Sequence, residues 1–168
     1  MKDTNQLLGT FNALMVANNY PAANPVDPDV MADLMRKAAP AEWDAQKRRV
    51  YEDIQRLMIN RLDYSDMFKI MDGLEYNGLT LYSMVQAENG EPIWSNIYIR
   101  NFETRDNDIY VDPNLSDKVL IGEDGMSVFA YSFTDDCFEI RDKASTDYVI
   151  ESHAYFSELL SALVDTVN

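Results

Sequence analysis

Basic residues are scarce in this chain: 14 lysines and arginines stand against 29 aspartates and glutamates, a formal net charge of −15 over 168 residues. Nucleic-acid binding needs cations to neutralise phosphate, so direct DNA or RNA binding is not expected. There is one cysteine, Cys137, and one histidine, His153. A lone cysteine excludes an internal disulfide framework and fits a reducing compartment; its plainest role is that of a small buried hydrophobe. A lone histidine excludes any metal cluster built on two imidazoles, and no zinc spacing exists around it. No window approaches the roughly 18 uninterrupted apolar residues of a membrane-spanning helix. The opening Met1-Lys2-Asp3-Thr4-Asn5-Gln6 is polar and acidic, unlike a secretory signal, so a cytoplasmic location is expected. Gly-x-Gly-x-x-Gly, a Walker loop and a Gly-x-Ser-x-Gly elbow are all missing.

What is present fits a globular protein. Apolar residues make up 46% and charged residues 26%, near the soluble norm, and a chain of this length buries a core without staples. A single domain spanning 1–168 is expected, with residues 1–45 as a helical extension and 46–168 as the core. Leu7, Phe11, Leu14, Met15 and Asn18 recur at helical spacing behind Asp3 or Thr4 as N-cap. Pro21, Asn24, Pro25 and Pro28 then break the pattern, and Asp27 with Pro28 in the first turn opens a second helix carrying Val30, Met31, Leu34 and Met35. Pro40 stands at a natural start for a long helix with Trp43, Lys47, Val50, Ile54, Leu57 and Met58 on one face. Tyr64, Met67, Phe68 and Met71 continue the helical spacing to Gly73 as C-cap.

The second half reads as strands. Leu79, Leu81 and Tyr82 follow an Asn77-Gly78 turn; Val119–Ile121 form a buried strand; and Glu123-Asp124-Gly125 is expected to turn through positive φ. Val128, Ala130 and Ser132 alternate with Phe129, Tyr131 and Phe133, implying contacts on both faces. Turns at Thr134-Asp135-Asp136 and Asp142-Lys143-Ala144-Ser145 set off Phe138, Ile140, Tyr148 and Ile150. Residues 93–111 mix types and carry no clear period. Ser152 then N-caps a last helix, with His153 at its start and Phe156, Leu159, Leu160, Leu163 and Val167 as its apolar stripe. The expected class is α+β: N-terminal helices, then a mainly antiparallel meandering sheet covered by a C-terminal helix.

Charge is unevenly placed: residues 85–168 hold 5 basic and 17 acidic residues. That field suits a basic protein partner and speeds its association; it also serves solubility alone. Asp106-Asn107-Asp108 begins like a calcium loop, but Val111 stands where the turn glycine belongs and Asp117 where the closing glutamate belongs. No metal site and no cofactor is expected. Carboxylate pairs could in principle run hydrolysis, yet 29 acids make any chosen pair uninformative.

Two stretches converge on a family. The first is Phe68-Lys69-Ile70-Met71-Asp72-Gly73-Leu74-Glu75-Tyr76-Asn77-Gly78-Leu79-Thr80-Leu81-Tyr82. The second runs from Val119-Leu120-Ile121-Gly122-Glu123-Asp124-Gly125 through Phe129-Ala130-Tyr131, Phe138-Glu139-Ile140 and Tyr148-Val149-Ile150 to Phe156-Ser157-Glu158-Leu159-Leu160. This order, over roughly residues 50–165, resembles the SUKH superfamily, and most closely its YrhA-like branch. Asn60-Arg61-Leu62-Asp63 stands where many members carry Leu-Pro. The resemblance implies a bacterial immunity protein that binds and neutralises a cognate toxin, often a nuclease, in the cytoplasm. A basic toxin suits the acidic second half. The candidate toxin-binding residues are the acids near turns: Asp106, Asp108, Asp112, Glu123, Asp124, Asp135 and Asp136. Each alone is also an ordinary solvated turn residue. Trp94, Tyr98, Phe102 and Tyr110 are candidate aromatic hot spots or core. The alternatives are a housekeeping ligand-binding or scaffold protein of the same fold, and a carboxylate hydrolase. Oligomeric state is open.

Overall fold

A computed structural model describes residues 2–85 and 95–168. Helix α1 (Thr4–Ala17) starts where Asp3 accepts the Gln6 N–H at 2.8 Å and Gln6 returns the bond to Asp3, a reciprocal cap. Helix α2 (Pro28–Arg36) starts at Asp27 with Pro28 in its first turn, as the sequence predicts. Helix α3 (Ala45–Asn60) begins later than Pro40 suggests, because Asp44 is the cap: its carboxylate accepts the Lys47 N–H at 2.8 Å. Trp43 precedes the helix and packs edge-on against Tyr51. Val50, Ile54, Leu57 and Met58 form the fully buried face of α3. The helical spacing onward to Gly73 is broken into α4 (Leu62–Ser65) and a 3-10 turn (Asp66–Lys69). Tyr64, Met67 and Phe68 are nevertheless completely buried there.

One six-stranded antiparallel sheet follows, its strands in sequence order: β1 (Leu74–Tyr76), β2 (Leu79–Leu81), β3 (Lys118–Glu123), β4 (Ser127–Ser132), β5 (Cys137–Asp142) and β6 (Val149–His153). The meander is as expected. The sequence reading lacked β1, which pairs with β2 across Asn77 and Gly78. Both turn residues take positive φ, 51° and 82°, the combination that makes Asn-Gly the favoured two-residue hairpin turn. The Asp124-Gly125 turn differs from expectation. Gly125 is not among the positive-φ glycines; the Asp124 carboxylate closes the turn by accepting the Met126 and Ser127 N–H groups at 2.8 and 2.7 Å. Aspartate closing its own turn makes the left-handed glycine unnecessary.

Between β2 and β3 the untyped stretch contains α5 (Ile97–Arg105), capped by Asn96. Its Asn101 completes β3. The short β2 pairs with Glu123 and Gly122 and reaches Ile121 through the Tyr82 N–H. Beyond its end, the buried Asn101 amide donates to the Leu120 carbonyl at 2.9 Å and accepts the Leu120 N–H at 2.8 Å. One side chain thus supplies both bonds that a longer strand would have made.

Every residue of β4 is buried. One face of the sheet carries Phe129, Tyr131, Phe138 and Ile140 and packs on α6 (Phe156–Val167) through a Phe138–Phe156 contact of 5.5 Å. Tyr64 from α4 packs edge-on to Phe156 at 5.0 Å. The other face, with Leu120, Val128 and Ala130, lies under α3, α5 and the buried Leu115. Leu7, Leu8, Phe11, Met15 and Val26 join the same continuous core. Ser152 is not the cap of α6; it lies within β6, as does His153. The α6 start is held by two carboxylates: Asp63 of α4 accepts the Phe156 N–H at 2.9 Å, and Glu158 accepts the Tyr155 N–H at 3.2 Å. Among the described residues no helix is long and apolar enough to cross a membrane.

Gly122 sits at the irregularity in the β3–β4 register. A Cβ placed there would lie 2.4 Å from the Thr80 carbonyl oxygen and 2.9 Å from the Phe129 ring. Backbone cannot yield as a flexible side chain does, so Gly122→Ala is expected to destabilise by about 2–3 kcal/mol. Urea unfolding checks this; an unchanged midpoint would disprove the tight β2–β3 approach.

Candidate functional site

A cleft of about 520 Å³ opens between α5, the segment after it, and the turns that end β3 and β5. It brings together Asp112 and Glu123, 11 positions apart in sequence, with Glu103, Tyr110, Arg100 and Lys143. Glu123 is clamped from both sides, by Arg100 at 2.8 Å and Lys143 at 2.9 Å. Lys143 also donates to the Asp124 carbonyl at 2.6 Å, and Arg100 pairs with Glu103 at 3.1 Å. Partial burial works to raise the Glu123 carboxyl, but Lys143 and Arg100 outweigh it and hold it below the usual glutamate range. Glu123 is therefore an anion fixed in place and not a proton donor. Beneath it the Tyr82 hydroxyl is buried next to Arg100 and Glu123 and interacts with both. Burial raises its pKa well above the ordinary tyrosine value, so it stays protonated.

The other acids of this region are placed by local turns. Asp112 accepts the Asn114 N–H at 2.9 Å and the Thr146 hydroxyl at 2.6 Å, tying the segment to the β5–β6 turn. Asn107 accepts the Ile109 and Tyr110 N–H groups at 2.9 and 3.3 Å. This fixes a turn whose tip presents Ile109 at 96% and Tyr110 at 67% exposure. Asp106 and Asp108 flank Asn107, Asp106 half-buried and Asp108 exposed. Neither aspartate side chain is bonded among the described residues. The calcium-like spacing does not close on an ion: Asn107 and Asp112 are engaged in turns, and no cluster of three or more metal-binding side chains occurs among the described residues.

The seven candidate acids do not form one patch. Asp112 and Glu123 line the cleft, Asp106 and Asp108 flank its lining residue Asn107 and Asp124 follows Glu123 in the next turn, whereas Asp135 and Asp136 sit in the β4–β5 turn at the opposite end of six-residue strands. The strand length alone puts roughly 17–20 Å between the two groups. Asp136 is also committed elsewhere, accepting from Arg61 at 3.0 Å and from the Tyr131 hydroxyl. Asp135 bonds the Ser132 hydroxyl. Among the candidate aromatics, Tyr110 is exposed, Tyr98 and Phe102 pack partly buried against Tyr51 and Trp43, and Trp94 lies outside the described residues. Sequence reasoning did not single out Arg100, Lys143, Glu103 or Ile109. An isoleucine next to a turn reads as a strand residue, and only the Asn107 turn reveals that it points into solvent.

The molecule is thus an α+β protein whose six-stranded antiparallel meander lies between two helical layers, with an acid-rimmed cleft over one face. It is similar to YrhA of Escherichia coli strain K12, a protein described as uncharacterized, at 26% identity over 132 residues, covering 79% of this chain and 91% of the relative. No family model matches the chain, and no solved structure matches it.

Proposed function

We propose that this chain is a non-enzymatic immunity protein of the SUKH, YrhA-like kind, which binds a cognate basic toxin in the bacterial cytoplasm and blocks it. The observation that carries the reading is the fixed turn at Asn107, which holds Ile109 and Tyr110 in solvent amid Glu103, Asp106 and Asp108. An exposed apolar and aromatic anchor with acids beside it is the composition of a protein-binding hot spot facing a cationic partner. A nuclease fits, since its active surface must be basic to hold phosphate.

The test is a pull-down with the product of the neighbouring gene, followed by calorimetry at low and high salt. A tight complex is expected, weakening steeply with salt, and Tyr110→Ala should cost about 2 kcal/mol of binding. An acidic partner, or tight binding indifferent to salt, would overturn the electrostatic reading. No binding, with harmless expression of that neighbour in cells lacking this protein, would favour the second reading: a ligand-binding protein of the same fold. The cleft itself motivates that second reading, because it gathers Arg100, Lys143 and Asp112, charged groups that could meet a small polar ligand.

A further inference from the structure

We infer that the free edge of the sheet is a docking groove for an extended, basic segment of a partner protein, which adds to β6 as a seventh strand. This goes beyond the reading above, because it fixes a surface and a peptide chemistry whatever the partner's activity.

Strand β6 ends the sheet and pairs only with β5. Outside that ladder, no main-chain N–H or C=O group of Val149–His153 is bonded among the described residues. Ile150, Glu151 and Ser152 are all exposed. Proteins usually blunt such an edge with lysine, proline or a covering element; Val149-Ile150-Glu151-Ser152-His153 has no lysine or proline. At the opposite edge, α1 packs against β1. An exposed edge with unbonded main chain is a template for strand addition.

A groove of about 740 Å³ runs beside this edge. Glu151 and His153 of β6 form one wall, and Glu158, Ser161, Ala162 and Asp165 of α6 form the other. The α6 residues are spaced by three and four, so they share one helix face. Ser161 and Ala162 are small and leave room between strand and helix for the side chains of an added peptide. The groove's charge decides the occupant. Glu151, Glu158 and Asp165 are its carboxylates, and no lysine or arginine lines it; in the α5 cleft, by contrast, Arg100 and Lys143 are interleaved with the acids. A basic segment therefore fits. A second copy fits poorly, since pairing two chains of net charge −15 would set carboxylates against carboxylates. Five residues of β6 give a bonded length of about 17 Å. Past Thr166 the groove meets a hollow lined by Ile150 and the 80%-exposed Met126, which offers an apolar anchor.

The experiment titrates the full chain with a fluorescent peptide of about seven residues alternating lysine and valine. Parallel arms use its glutamate–valine counterpart and a version N-methylated on alternate amides. Backbone hydrogen exchange is followed with and without peptide. The basic peptide should bind and protect the amides of residues 149–153. N-methylation should weaken it by about tenfold or more, because it removes main-chain bonds on one edge. Ser161→Arg, which fills the groove and offsets part of its negative charge, should do the same, while Glu52→Lys on the exposed side of α3 should not. Absence of binding, equal binding of the acidic or N-methylated peptide, undiminished binding by Ser161→Arg, or protection lying outside β6 would each overturn the inference. A free protein that is already dimeric with β6 amides protected would also overturn it, making a second copy the occupant.

Discussion

Asp53→Ala is expected to lose about 3–5 kcal/mol of stability, the largest effect of any single substitution considered for this protein. Asp53 on α3 accepts from Arg105 of α5 at 2.7 Å, and the Arg105 side chain is 0% exposed. Arg105 also donates to the Lys118 carbonyl at 3.1 Å, and Gln46 donates to the Arg105 carbonyl, so this pair fastens α3, α5 and the start of β3 to one another. Removing the carboxylate strands a guanidinium where water cannot reach it. The cost is that of an unpaired buried charge rather than of a lost contact. Urea unfolding at neutral pH measures it. The double variant Asp53→Leu, Arg105→Met should recover much of the loss, because an apolar pair of similar volume replaces the ions. If the double variant falls as far as Asp53→Ala, the loss lies in packing and the charge argument is wrong.

Arg61→Ala is expected to cost about 3 kcal/mol, by opening a clasp at the other end of the sheet. The Arg61 side chain is only 11% exposed. It grips both oxygens of Asp63 at 3.0 and 2.9 Å, reaches the Asp136 carboxylate at 3.0 Å, donates to the Ala154 carbonyl at 2.7 Å and lies 4.6 Å over the Phe138 ring. α4, the β4–β5 turn and the entry to α6 meet on this one guanidinium. Lysine cannot reproduce the fork, so Arg61→Lys should recover only part of the loss.

The clasp also has a pH signature. Partial burial works to raise the Asp63 carboxyl, but its bonds to Arg61 and to the Phe156 N–H win and hold it below the ordinary aspartate value. The Tyr131 hydroxyl and then Arg61 hold Asp136 down. A depressed carboxyl contributes stability above its unfolded pKa, about 4, and loses it as the pH falls through the folded value. The difference in urea midpoint between wild type and Arg61→Ala should therefore shrink as the pH is lowered below about 4. A constant difference would mean the clasp works by packing alone. Asp136 is largely exposed, so its share should fade with salt.

The elements that sequence made legible are those whose signal is local. Asp3, Asp27 and Pro28 set helix starts through their own neighbours, and Asn77-Gly78 set a hairpin through its own φ angles. Elements set by distant partners were not legible. Asn101 and Arg105 lie in the stretch that carries no clear period, and both are buried because β3, α3 and the end of β2 arrive from elsewhere in the chain. Ser152 has the right chemistry for a helix cap, but pairing with Glu139 keeps it in β6 and Asp63 does the capping. The acids were legible as turn residues and not as a surface. Asp112 and Glu123 meet in one cleft because the segment after α5 and the end of β3 converge, and Asp135 and Asp136 are carried away by strand length.

The Asp63 carboxylate that starts α6 is 93 residues upstream of the amide it holds. Glu158 supplies one bond at the start of α6 from its own neighbourhood, and the other must come from a distant element. That second bond forms only when α4 and the start of α6 have been brought together, which closes a long loop of chain. Closing so long a loop is entropically slow but adds little to the equilibrium cost, since loop entropy grows only with the logarithm of length. The bond weighs on the rate of reaching the native state more than on its final stability, and until it forms, the apolar face of the sheet that α6 covers is open to water and to other chains.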